Sequence, residues 1–425
     1  MTHWEQYKSH CGWVFAAFLF IYHYATIVEL KERSVLAYQK MVFTEIEQMK
    51  QLTRLDLNKI NKSETEDYYR DHCQPVDKVV FLKTHKTGSE TLAGILRKYS
   101  MLNNMSTLLS TNNGGHLYHS GKSKHAPIDD TLLMEGYGQP GAHFEFIATH
   151  MTWNKSFVDA TIKQPRKTIT LLRDPTTLME STWKYYYTVF KNPTWIKYET
   201  ASERTSQLYA LLENPSKFYN ETLAMGSNAY RYVLRSQLAS FGFGNDVYKR
   251  NIDRELVTKW IGTIAIQFDL VLIMEYFDYS LALLAIELCW PLMDLANLMT
   301  NVGKRVKVAK KMYYEELIHV INYPDYMLYD HFNQTLWRKI DQIGLDKVHA
   351  MSVEIGRLSK QLENECVNGY VPIKLWNGRV DNEAVVPPDK SNNLTCLATV
   401  KWGSRQTELL REKQHELMER EQWNS

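Results

Sequence analysis

The chain has 425 residues and is 44% hydrophobic, enough for one large α/β domain or two small ones with a substantial core. Its 50 Lys and Arg against 48 Asp and Glu leave a net charge of +2, which argues against nucleic acid as the main partner. An anionic ligand would need only a local basic pocket.

The first predicted element is apolar. Between Cys11 and Val28 run Trp13, Val14, Phe15, Phe18, Leu19, Phe20, Ile21 and Ile27. Such a helix spans about 27 Å, close to a hydrocarbon core. Tyr22, His23, Tyr24 and Thr26 weaken it, and Lys8 and Glu29 to Arg33 bound it. A retained membrane anchor over 11–30 is the first reading. A cleaved signal peptide, for which no small-residue cleavage pattern is evident, and a buried helix compete with it. Residues 31–76 are polar with helical patches such as Val42, Ile46, Met49 and Leu52, and read as a stem or as a helix packed on the following domain. Asn-x-Ser/Thr acceptors for glycosylation stand at Asn61, Asn104, Asn154, Asn220, Asn333 and Asn393. Besides Cys11 there are Cys73, Cys289, Cys366 and Cys396, which can pair in three ways. They lack zinc-site spacing, so no metal is expected.

The domain from residue 77 onward opens with the apolar run Val79 to Leu82, short enough for a buried strand. A polar turn follows with Lys83, Thr84, His85, Lys86, Thr87 and Gly88. Ser89, read as the helix N-cap, then precedes Leu92, Ile95 and Leu96 at helical spacing. Strand, polar loop and helix N-terminus is a geometry that cradles a phosphate: backbone N–H groups point at the anion, Gly88 permits close approach, and a lysine adds full charge. The order is not that of a Walker loop, where the lysine follows the glycine.

Residues 101–142 read as a long loop region. Phe144 to Thr149 is the second predicted strand and ends at His150; Lys167 to Leu172 is the third and runs into Arg173 and Asp174. A helix carrying Leu178, Ser181, Tyr185 and Val189 follows. Asp269 to Met274 is a fourth apolar run, succeeded by an apolar helix to Trp290. Further helices are predicted over Tyr326 to Ile340, Lys347 to Cys366 and Arg405 to Trp423, the last densely charged and read as a solvated surface helix. Strands alternating with helices predict a parallel central sheet flanked by helices, with ligands at the carboxyl ends of its strands. Lys86, His150 and Arg173 all fall just past such ends.

The order Lys86, Thr87, Gly88, Ser89 resembles the donor loop of sulfotransferases that use 3′-phosphoadenosine-5′-phosphosulfate (PAPS). The wording from Phe81 through Lys83, His85 and Lys86 to Thr87 looks like the galactose-3-O-sulfotransferase family. The resemblance extends through Asn228, Leu234, Arg235, Glu275, Leu281, Leu284, Cys289, Trp290, Leu328, Asn333 and Trp337. It implies a P-loop-like PAPS sulfotransferase fold. It also implies a single-pass type II Golgi protein with cytosolic tail 1–10, signal-anchor 11–30, stem 31–76 and luminal catalytic domain 77–425. It implies PAPS as co-substrate and sulfonate transfer to the 3-hydroxyl of a terminal galactose on a glycolipid or glycan.

On this resemblance Lys83, Thr84, Lys86, Thr87, Gly88, Ser89, Glu90 and Thr91 form the 5′ donor loop, and Arg173 with Ser181 binds the 3′-phosphate. Lys86 meets the leaving phosphate, where charge builds. His150, at a strand end, is the first choice for the base and His85 the second. Two departures stand out. Glu90 places an acid where the family carries a serine or threonine, and Met151 to Trp153 lack the family's arginine after the histidine. A sulfotransferase for another sugar position, such as a glycosaminoglycan type, is the runner-up. A P-loop kinase is disfavoured by the loop order. A sugar-binding relative without turnover rests on Glu90 alone.

Overall fold

The computed structural model describes residues 73–111, 117, 133–134, 137–138, 142–189, 208, 212–214, 220, 234–248, 252–298, 312–374 and 380–420. All lie in the compact unit Thr65–Ser425. The expected tail, anchor, almost all of the stem, Asn61 and much of the 101–142 loop fall outside the described residues. Among the described residues no helix is long and apolar enough to cross a membrane, and no group of His, Cys, Asp and Glu side chains could hold a metal ion.

The centre is a five-stranded, wholly parallel sheet in the order β2-β3-β1-β4-β5. Its strands are β1 (Val79–Leu82), β2 (Thr107–Leu108), β3 (Phe146–Thr149), β4 (Lys167–Leu172) and β5 (Leu270–Ile273). Continuous apolar runs form them because both faces are covered. Every residue of β1 is 0% exposed. The bounds expected for β1 and β4 are those observed. β2, two residues long within the region read as loop, has no sequence signal of its own.

The chain enters at the centre in β1 and passes through α1 (Ser89–Leu102) to β2 and β3 on one side. After α2 (Lys155–Thr161) it crosses to β4, and after α3 (Pro175–Val189), α4 (Ser236–Ala239) and α5 (Arg254–Gln267) it reaches β5 on the other. The direction of winding thus changes at β1, and a crevice opens outside the carboxyl ends of the strands beside it. Leu82 is in register with Thr149 on one side and Thr170 on the other. The residues that follow, Lys83 and His150, therefore emerge side by side.

Helices α6 (Phe277–Leu288), α7 (Leu292–Leu295), α8 (Met312–Ile321), α9 (Tyr323–Ile343) and α10 (Leu345–Cys366) follow, and α6 packs on α10. Trp290, 0% exposed, closes the core: its ring stacks on Tyr99 at 3.4 Å and its Nε1 donates to the Val76 carbonyl. Losing such a side chain costs about 3–5 kcal/mol. Cys73 pairs with Cys289 beside it, and Cys366 with Cys396, resolving the three open pairings. An antiparallel hairpin, β6 (Tyr370–Lys374) and β7 (Val380–Ala384), was not expected from the sequence.

After α11 (Leu394–Val400), the last described helix, α12 (Ser404–Arg420), corrects the expectation of a solvated surface helix. Its charges occupy one face only. Leu409, Leu410, Leu417 and Met418 are buried with Gln406 and Gln414. Gln414 accepts the N–H of Thr107 on edge strand β2 at 2.7 Å, and Gln406 donates to the carbonyls of Gly94 and Ala398. These glutamines satisfy backbone groups that burial would otherwise orphan.

Candidate active site

The loop between β1 and α1 turns sharply because two residues adopt left-handed backbone, Lys86 at φ 60° and Gly88 at φ 78°. Gly88 is the N-cap of α1 and makes no side-chain cap hydrogen bond. The first N–H groups of α1 therefore have neither a helical carbonyl nor a capping side chain, the arrangement that receives an anion. A Cβ on Gly88 would lie 2.3 Å from Met274 Sδ, so a larger residue must push that side chain aside where the end of β5 meets the loop.

The loop hydroxyls are committed to its own shape. Thr84 Oγ1 donates to the Leu171 carbonyl at 2.7 Å and also meets Thr87 Oγ1 at 2.8 Å. Ser89 Oγ donates to the Thr84 carbonyl. Thr84, Thr87 and Ser89 are buried. What they offer a ligand is backbone N–H, held rigidly. Thr91, one turn into α1, donates its N–H to the Gly88 carbonyl at 3.1 Å.

Arg173, the residue after β4, joins the two expected phosphate grips. Its Nη1 donates to the Lys86 carbonyl at 3.0 Å and its Nε to Thr177 Oγ1 at 3.1 Å. Its own backbone is gripped at both ends by Gln237, whose Oε1 accepts the Arg173 N–H at 2.8 Å and whose Nε2 donates to the Arg173 carbonyl at 2.7 Å. Thr177, Ser181 and Tyr185 succeed one another at helical i+4 spacing and share one face of α3. The Lys86 ammonium sits 4.0 Å above the Tyr185 ring, a cation–π contact. The face that carries Ser181 is thus the one turned to the loop.

On the other side of β1, His150 is bound twice by one residue. Its Nδ1 lies 2.8 Å from the Lys83 carbonyl and its Nε2 2.6 Å from Lys83 Nζ. A carbonyl only accepts, so Nδ1 carries the proton, and in the neutral ring Nε2 is the basic nitrogen. The ring of His85 stacks on His150 with centroids 4.0 Å apart and planes 7° from parallel. The two histidines expected as alternatives are therefore neighbours.

Lys83, only 5% exposed, also pairs with Glu90 Oε2 at 2.8 Å, and Arg97 pairs with Glu90 Oε1 at 3.1 Å. Burial works against the Glu90 charge, but Lys83 and Arg97 outweigh it and hold the carboxyl down at about 2. Burial lowers Lys83, with Glu90 opposing. The acid that seemed misplaced beside a phosphate loop is turned onto two cations.

Sequence reasoning had Lys86, His150 and Arg173 from their strand-end positions. It missed Gln237, Thr177 as an Arg173 partner, and Met274. Gln237 carries no local signal, because its role arises only where α4 packs against the end of β4. Of the glycosylation acceptors, Asn104, Asn154, Asn220 and Asn393 are exposed, whereas Asn333 is half-buried within α9.

The family model for galactose-3-O-sulfotransferases matches residues 14–392 of the chain. Galactosylceramide sulfotransferase of Mus musculus is 30% identical over 302 residues, covering 70% of this chain and 66% of that protein. The Bos taurus protein of the same name is 28% identical over 300 residues, with coverage of 70% and 66%. Galactose-3-O-sulfotransferase 2 of Mus musculus is 30% identical over 270 residues, 63% of each chain. The chain thus spans just under two thirds of the length of these relatives.

Proposed function

The chain belongs to the galactose-3-O-sulfotransferase family, and from that premise we propose that it moves a sulfonate from PAPS to the 3-hydroxyl of a terminal galactose on a galactosylceramide-like glycolipid or a glycan. The observation that carries this reading is the joining of the two phosphate grips, Arg173 Nη1 donating to the carbonyl of Lys86 beside the uncapped start of α1. When bound, PAPS supplies an activated sulfonate on a phosphosulfate anhydride.

The chain's own residues divide the remaining work. The N–H groups at the start of α1 and the Lys86 ammonium would hold the 5′ end of the donor and offset charge on the leaving phosphate. The Arg173 fork with Ser181 would hold the 3′-phosphate. His150 would take the proton of the attacking hydroxyl at Nε2, with His85 stacked on it as the alternative base. The pairing of Glu90 with Lys83 and Arg97 removes the support for a relative without turnover.

The two disulfides support an oxidising compartment. Together with the family membership and the apolar segment 11–30, they support a Golgi membrane protein of single-pass type II topology with a luminal catalytic domain.

The test is transfer from radiolabelled PAPS by the full chain in detergent, offered galactosylceramide, lactose-type glycans and heparan-type chains. Transfer to a galactoside, lowered at least about 100-fold in Lys86→Ala and His150→Ala, is the expected outcome. Transfer to heparan-type chains alone would replace galactose by another sugar position. Transfer to none of them would overturn the reading.

A further inference from the structure

We propose that Glu90 is a positioning residue of this site: it keeps Lys83 cationic and docked on His150, and so sets what the imidazole meets at Nε2. The inference rests on the sulfonate-transfer reading for its kinetic consequence, but its geometry stands independently.

Both ring nitrogens of His150 are bound by the same residue, Nδ1 by the Lys83 carbonyl and Nε2 by the Lys83 ammonium. The carbonyl belongs to the backbone that ends β1 and cannot move far. The ammonium sits at the end of a flexible stem, so the contact at Nε2 is only as firm as the placement of that ammonium. Lys83 is 5% exposed, and a buried ammonium without a counter-charge either loses its proton or leaves for water. Glu90 Oε2, at 2.8 Å, supplies that charge, and Arg97 at 3.1 Å from Oε1 fixes the carboxylate in turn. Arg97 is itself tied to the sheet by Nη2 donating to the Ala148 carbonyl at 3.0 Å. The chain of contacts thus begins on β3, passes through Arg97, Glu90 and Lys83, and returns to His150 at the end of β3.

The other charged groups near this end of α1 are engaged differently. His85 is stacked on the His150 ring. Lys98 donates to the Ala296 carbonyl, with Asp294 acting on it, and Lys401 lines the cleft that Glu90 borders. Glu90 is therefore the carboxylate bonded to Lys83. With the ammonium donating to it, Nε2 is the accepting nitrogen of the ring, the role it would play toward an acceptor hydroxyl that takes the place of the ammonium.

The test compares wild type, Glu90→Gln, Lys83→Met and the double variant in the full chain, after thermal melting shows that each is folded. Removing an adjacent opposite charge lowers a lysine by about 1–3 pH units. The alkaline limb of kcat/KM for sulfonate transfer is accordingly expected to fall by that amount in Glu90→Gln. In the double variant, activity should equal that of Lys83→Met alone, because Glu90 acts through Lys83. A folded Glu90→Gln protein with the wild-type pH profile, or additive losses in the double variant, overturns the proposal. The 15N spectrum of the histidine rings separates this from failure of the functional reading. Wild type should show His150 protonated on Nδ1 with its Nε2 signal displaced by the Lys83 hydrogen bond, and Glu90→Gln should lose that displacement of Nε2, whether or not any acceptor is sulfated. An unchanged His150 signal in Glu90→Gln sinks the inference.

Discussion

Gly88 combines two demands that no other residue meets. Its φ of 78° lies in the left-handed region, where a side chain costs roughly 1–2 kcal/mol. A Cβ there would also meet Met274 Sδ at 2.3 Å, an overpacking that costs about 1–3 kcal/mol unless the thioether moves. Gly88→Ala is therefore expected to lower the unfolding free energy by about 2–5 kcal/mol in urea titration. The same substitution in a Met274→Ala background should cost only the conformational part, about 1–2 kcal/mol. An equal cost in both backgrounds would show that Met274 plays no part. The result matters for function because the same glycine leaves the start of α1 open to an anion.

At the scale of elements, α1 has the loop from Lys83 to Gly88 at its start and a buried lysine two turns further on. Lys98 is 4% exposed and donates to the Ala296 carbonyl before α8. Burial pushes it down from 10.5 to about 8, with Asp294 opposing. Folded and unfolded states are both protonated below pH 8, so there the burial costs stability, about 3 kcal/mol for 2.5 units at 1.4 kcal/mol each. As pH rises from 8 to 10.5 the folded state releases its proton first, and the cost disappears. Lys98→Met removes that cost but leaves the Ala296 carbonyl without its donor, worth about 1–3 kcal/mol. The variant should match or exceed wild type in unfolding free energy at pH 7 and fall below it near pH 10. The same difference at both pH values would refute this account. Elements also explain what could be read from the chain alone. β1 was legible to the residue as an unbroken apolar run, and β4 as a short run rich in β-branched residues, Thr168 to Thr170, that ends in two leucines. His150 and Arg173 were legible because strand ends in such sheets gather ligands. The buried face of α12 was hidden by its density of charge, and the exposed β6–β7 hairpin has no apolar alternation to announce it. Gln237 and Met274 reach the site through tertiary packing, which leaves no local pattern.

At the scale of the whole molecule, the described residues carry two cross-links of different reach. Cys73–Cys289 joins residues 216 apart in sequence, and Cys366–Cys396 joins residues 30 apart. In the chain-entropy account these constrain the unfolded chain by about 5 and about 4 kcal/mol respectively. Their surroundings widen the difference. Cys289 stands next to Trp290, whose indole holds Val76, and the Val76 N–H donates to the Leu288 carbonyl at 2.9 Å. That contact fixes the chain just before β1, the strand whose far end carries the donor loop. Cys366 and Cys396 belong to a small peripheral cluster with Leu362 and Val400, away from the sheet. Replacing Cys73 and Cys289 by serine is therefore expected to lower the urea midpoint more than replacing Cys366 and Cys396. The first pair should also lose sulfonate transfer at a lower urea concentration than the second, because the segment it anchors leads directly into the site. Equal midpoints, or a larger loss from the peripheral pair, would mean that the packing of Trp290 holds the start of β1 without help from the cross-link. Strand β1 would then owe its position to the sheet and to the indole alone.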